Sequence, residues 1–199
     1  MARRSAEDAA RTRASILDAA LVVFAERGFA ATRLDAIAER CGVTRGAFYH
    51  HFDDKHALLA AVMRERWATA TAAILAPLRD STGLAALDSF VTAYLRAVDT
   101  DPVVRALLRI STSGEVPAPA ASAGMNEKRA VFDAWIALLE PRLVESGVPR
   151  SSARARAQTL LAHLLGEALW STLEGPIGEP WERRAQLVLH GLLPAPRDE

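Results

Sequence analysis

Apolar positions recur along nearly the whole chain at spacings of three and four, the period of an α-helix, and glycines and prolines cut this pattern into segments. The first segment stripes Ile16, Ala20, Val23 and Phe24. It predicts a helix over residues 9–27, closed by Gly28, beyond which Phe29 can pack back on Phe24. A second, shorter segment carries Leu34, Ile37, Ala38 and Cys41 on one face. Thr32 stands where it can cap the free N–H groups and Asp35 follows three residues on, as in a capping box, so this helix is expected to start at Arg33 and to close at Gly42. Thr44 then opens a third helix as its N-cap, and Val43 with Phe48 has the spacing of a hydrophobic staple. Phe48 and Phe52, four apart, share the inward face, which leaves Arg45, Gly46, Tyr49 and His50 facing out. Two short helices about the turn Cys41-Gly42-Val43 make a helix-turn-helix.

Further along, the stripe Leu58, Leu59, Val62, Trp67 and Ile74 predicts a helix from about Asp54 to Ala76, stopped by Pro77. Leu87, Phe90, Val91, Tyr94 and Val98 form the next, and Asp101 with Pro102 reads as a cap and first residue of a shorter helix through Leu107 and Ile110. Residues 113–124, SGEVPAPAASAG, have no period and are expected to form a flexible loop. A helix over about 126–146 contains Pro141, which predicts a kink or a break. The last two helices, about 152–174 and 181–193, are split by GPIGEP. The fold class is therefore all-α, with a three-helix DNA-binding domain over residues 1–55 and a larger helical domain over 56–199. In the first of the last two helices Leu160, Leu161, Leu164, Leu165, Ala168 and Leu169 are apolar on more than one side, so it either meets a second partner or is wholly buried within its domain.

Composition changes this picture little. At 199 residues and 50% hydrophobic the chain can build a core, its net charge is +0, and over residues 1–55 nine Lys/Arg face eight Asp/Glu. The case for nucleic acid thus rests on where charges sit. Arg45 offers a planar fork for guanine O6 and N7, Tyr49 and His50 can reach phosphates or base edges, and Gly46 allows close backbone approach. Thr32, Arg33, Thr44 and Lys55 lie at helix starts, where hydroxyls, N–H groups and cations hold phosphates. Arg3, Arg4, Arg11 and Arg13 suit either an arm along phosphates or a solvated helix start. The single cysteine, Cys41, excludes an intramolecular disulfide and reads as a small buried residue. With no membrane-length apolar run and no signal-peptide core, the chain is expected to be cytoplasmic. His50, His51 and His56 lack the spacing of a zinc motif, and no nucleophile elbow, phosphate loop or dinucleotide turn is present, so no catalytic residue, metal or cofactor is expected.

The segments FAERGFAATRLDAIAERC and GVTRGAFYHHFDDKHALL resemble the N-terminal domain of TetR-type transcriptional regulators. The resemblance implies a homodimer on a palindromic operator in double-stranded DNA, most simply a repressor, with the last two helices of each subunit pairing through Leu161, Leu165, Leu169, Leu189 and Leu192. It also implies a small-molecule effector cavity in the second domain, where Phe90, Tyr94, Phe132, Trp135, His163 and Trp170 are candidate contacts and the aromatic content favours a hydrophobic or aromatic ligand. The helix that starts near Lys55 would be the lever between the two functions. The alternative is a helical interaction protein without regulatory DNA binding.

Overall fold

Alanine and arginine, both good helix formers, dominate the first thirty residues, and the first helix accordingly starts well before Ala9. The computed structural model describes residues 2–112 and 118–193, with side chains at 6–111 and 129–193. Among them are nine helices and no strand: α1 (Ala2–Ala31), α2 (Leu34–Cys41), α3 (Arg45–His51), α4 (Lys55–Asp80), α5 (Gly83–Thr100), α6 (Pro102–Thr112), α7 (Ala118–Glu145), α8 (Arg150–Glu174) and α9 (Trp181–Leu192). They fall into two compact units. One takes in the described residues up to Thr69 together with those of 106–124, and the other holds Ala70–Arg105 and the chain from Met125 on.

In the first unit, α1 packs on α2 and α2 on α3. Ile16, Ala20, Val23, Phe24, Ile37, Phe48, Leu58 and Val62 are buried there, as expected from their spacing, and Leu17 is buried with them. Gly28 breaks α1 with φ 75° and ψ 167°, a backbone setting that glycine reaches without strain, and one further turn follows it to Ala31. The Phe24 and Phe29 rings then stack with centroids 5.8 Å apart.

Several helices differ from expectation in where they begin or end. The capping box at Thr32 does not form: α2 starts at Leu34 with Arg33 as its N-cap and no side-chain cap, because the Thr32 hydroxyl donates back to the Gly28 carbonyl at 2.6 Å. Pro77 does not stop α4, which runs one turn further to Asp80. Leu78 is buried beyond the proline and its carbonyl accepts from Arg142 Nε at 3.0 Å, so the last turn has both apolar contact and a partner. Pro141 sits inside a single helix, α7, where the buried Leu139 and Leu143 flank it. Helix α7 also starts at Ala118, so the expected loop is helical from there on, and residues 113–117 lie outside the described part.

The second unit is built on α5, which lies against both α8 and α9, while α8 and α9 pack on each other. Leu87, Phe90, Val91, Leu95, Leu139, Leu143, Leu160, Leu164 and Leu189 form its core. No helix among the described residues is long and apolar enough to cross a membrane.

Candidate nucleic-acid interface

Gly42 adopts the left-handed conformation, φ 70° and ψ 25°, and its N–H and that of Val43 donate to the Glu39 and Ala38 carbonyls at 3.2 and 3.1 Å. This Schellman-like closure ends α2 and sets the turn into α3. Thr44 caps α3 as its sequence position predicts: Ala47 N–H donates to Thr44 Oγ1 at 3.2 Å. Phe48 is fully buried and Phe52 nearly so, with ring centroids 6.2 Å apart, so the inward face of α3 is fixed by two aromatic anchors.

The opposite face is open. Arg45, Gly46, Tyr49 and His50 are all exposed on it, and a Cβ added at Gly46 would meet nothing within 4 Å. Arg45 is not loose on that face. Its guanidinium carbon lies 5.7 Å from the Tyr49 ring centroid and its Nε lies 3.6 Å from Asp35 Oδ1, while Arg33 reaches the same carboxylate at 4.0 Å. Tyr49 first and Asp35 next keep the Arg45 pKa above its ordinary value, so this arginine stays charged.

Two residues expected at phosphates are engaged inside the protein. Thr32 is 3% exposed and its hydroxyl is taken by Gly28, as described above. Lys55 donates to three carbonyls at the end of α1, those of Phe29 at 2.8 Å, Ala30 at 3.2 Å and Thr32 at 3.1 Å, which uses all three ammonium protons. Arg13 likewise is no arm. It forms a two-pronged pair with Glu65, one contact at 2.7 Å, and its guanidinium sits 5.1 Å from the Phe52 ring centroid. That pair holds the Glu65 carboxyl below the ordinary carboxylate range. Arg11 pairs with Asp8 at 3.4 Å on the same helix, and the side chains of Arg3 and Arg4 lie outside the described part.

The histidines are dispersed rather than gathered. His50 and His51 meet edge to face at 5.6 Å, whereas the His56 ring packs on Phe29 at 5.0 Å. Burial, then His50 and then Arg13 push the His51 pKa down. Among the described residues no group of three or more His, Cys, Asp or Glu side chains is placed to hold a metal ion.

In the second unit, the six expected effector contacts separate into two sets. Phe90 and Tyr94 on α5 meet Trp135 on α7 edge to face, at 6.0 and 6.3 Å, and Phe132 is half-buried one turn before Trp135. His163 and Trp170 instead lie on the exposed side of α8, apart from that aromatic set, with His163 3.5 Å from Glu167. The period of the helix could not separate them, because α8 is apolar on both sides.

The five leucines divide in the same way. Leu161, Leu189 and Leu192, expected in a subunit interface, are buried within the chain's own core. Leu165 and Leu169 are 41% and 45% exposed, and Trp170 and Leu173 on α8 and Leu187 on α9 are exposed as well.

A buried polar cluster went unseen in the sequence. Asp99 accepts from Arg184 Nη1 at 2.7 Å, Trp181 Nε1 at 3.0 Å and Ser171 Oγ at 3.1 Å, and Arg184 Nη2 donates to Glu167 at 2.5 Å. Burial works against the Arg184 charge, but Glu167 and Asp99 outweigh it and hold its pKa above the ordinary value. The available signal was Asp99 itself, an acid beside Val98 and Leu95 on an inward stripe, where a charge requires a partner.

Residues 16–62 match the family model described as "Bacterial regulatory proteins, tetR family". Over 66 residues, 33% of this chain, the sequence is 50% identical to the HTH-type transcriptional regulator SrpR of Pseudomonas putida, and the match spans 31% of that protein's length. The whole fold is similar to that of Salmonella enterica GusR, with a TM-score of 0.70 and 26% identity over 92% of this chain and 95% of the other. It is similar too to the fatty acid degradation regulator FadR from Bacillus halodurans, with a TM-score of 0.74 over 94% and 97% of the two chains, a likeness of fold at 18% identity.

Proposed function

We infer that this chain, which belongs to the TetR family of bacterial regulatory proteins, is a homodimeric, sequence-specific DNA-binding regulator that acts in the cytoplasm as a repressor. The observation that carries this reading is the two-faced α3, anchored inward by Phe48 and Phe52 and presenting Arg45, Gly46, Tyr49 and His50 outward. A helix of that design enters the major groove, where the Arg45 fork fits a guanine edge. Tyr49 and His50 reach bases or phosphates beside it. Thr44 and Arg33, exposed at the starts of α3 and α2, lie where phosphates are held. Thr32 and Lys55 support this surface from behind and leave the phosphates to others.

The exposed Leu165, Leu169, Leu173 and Leu187 make the dimer surface, and two-fold pairing through it makes the operator palindromic. The aromatic set Phe90, Tyr94 and Trp135, with Phe132, is where a hydrophobic or aromatic effector binds and releases the repressor. Differential affinity of about 1 to 3 kcal/mol between the two states changes operator binding about 5- to 150-fold. The relatives are named as regulators, which points away from an enzyme.

The test is an electrophoretic mobility titration against a duplex selected by this protein from a random pool, beside its scrambled counterpart, at several salt concentrations. A salt-sensitive shift that favours the selected duplex supports the reading. Equal binding to both duplexes refutes it.

A further inference from the structure

We propose that Asp35 is a positioning residue for DNA recognition, which turns the Arg45 fork toward base edges and keeps it off bulk phosphate. The proposal rests on the reading of α3 as the groove-reading helix. Asp35 sits in the first turn of α2, outside the outward quartet of α3, yet its carboxylate lies 3.6 Å from Arg45 Nε and 4.0 Å from an Arg33 terminal nitrogen.

The atom that Asp35 approaches matters. A guanidinium approached by the carboxylate on its Nε side keeps its two terminal nitrogens turned away from Asp35, and these are the pair that donates to guanine O6 and N7. The Tyr49 ring, 5.7 Å from the same guanidinium, holds the arginine from another side along the exposed face. Arg45 thus meets DNA with its fork already oriented, and less rotamer freedom is lost on docking.

The carboxylate also discriminates between the two kinds of acceptor on DNA. A guanine edge is neutral and tolerates an acid behind the arginine. A phosphate brought to the same fork comes close to the Asp35 charge and is repelled. Asp35 therefore weakens indiscriminate backbone binding more than matched binding, which raises specificity through a repulsive element. Both ion pairs are long and solvent-exposed, so they bias the orientation of Arg45 without holding it away from DNA.

The experiment uses the full chain, with wild type, Asp35→Asn, Arg45→Ala and the double variant titrated on the selected duplex and its scrambled counterpart across a salt series. Asp35→Asn is expected to tighten scrambled DNA about three- to tenfold with a steeper salt dependence, to change the selected duplex less, and so to narrow the specificity ratio. On the Arg45→Ala background the same substitution should leave the ratio unchanged. Asp35→Ser, which keeps a small polar group in the first turn of α2, carries the same expectation if the asparagine variant is unstable by thermal melting. A ratio that holds or widens in Asp35→Asn overturns the proposal, and so does equal narrowing with and without Arg45, which would mean that Asp35 acts by bulk charge alone. Failure of wild type to prefer any duplex is a different result: it removes the DNA-reading function itself, and Asp35 with it.

Discussion

The ammonium of Lys55 lies 4.5 Å from the centroid of the Phe29 ring and donates to the carbonyl of that same residue at 2.8 Å. Lys55 therefore opens α4 and closes α1 in one contact. The orphan carbonyls that follow the break at Gly28 receive a cation where a helix end favours one.

This arrangement predicts that Lys55→Ala acts mainly on stability. Loss of charge-assisted bonds to backbone carbonyls is expected to destabilise the first unit by about 1.5 to 3 kcal/mol, measured by urea denaturation followed by circular dichroism. The salt dependence of DNA binding by the folded variant should match wild type. A phosphate contact would give the reverse, with the slope reduced by about one per subunit and stability unchanged.

Leucines on α8 and α9 should divide by the side they face. Leu169→Glu combined with Leu173→Glu places charge on the exposed side of α8 and should give folded monomers by light scattering, with weakened operator binding. Leu189→Glu puts a carboxylate into the core of the second unit, and urea titration should show a loss of about 3 kcal/mol or more. A dimer that survives the first pair of substitutions would locate the subunit contact elsewhere.

Acid should loosen the first unit through Glu65. Its pKa is depressed, chiefly by the Arg13 bond, so the stability it contributes is full above the ordinary carboxylate range near pH 4.5 and is lost as the pH falls through the lower folded value. Wild type should exceed Glu65→Gln by about 1 kcal/mol or less at pH 7, since both side chains are about a third exposed. Denaturation midpoints of the two proteins should converge as the pH is taken from 5 to 3.

The helix-turn-helix was legible because each of its signals is local. Thr44 with Ala47, Gly42 with Glu39 and the Phe48–Phe52 pair are separated by three or four residues, within reach of sequence spacing alone. Apart from the local Thr32–Gly28 bond, what escaped involves partners far apart in the chain. Lys55 meets Phe29 across 26 positions, and Asp99 meets Arg184 across 85. Nothing in either neighbourhood announces the other. Periodicity identifies an apolar face but not what covers it, which is why Leu161 and Leu165 read alike while one is buried and the other open. A proline lacks a donor, so Pro77 reads as a helix stop and Pro141 as a kink or break, yet both lie inside continuous helices with a buried leucine just beyond, Leu78 and Leu143.

The open space above Gly46 has a thermodynamic consequence for the free protein. Alanine there would meet no atom of the chain and would favour the helical state by up to about 1 kcal/mol, so the present residue leaves α3 less stable than its own surroundings allow. Stability forgone at a position with room to spare marks a constraint imposed from outside the folded chain. Gly46→Ala should raise the urea midpoint and at the same time weaken binding to the selected duplex, and the opposing signs in the two titrations would measure how closely DNA approaches that backbone.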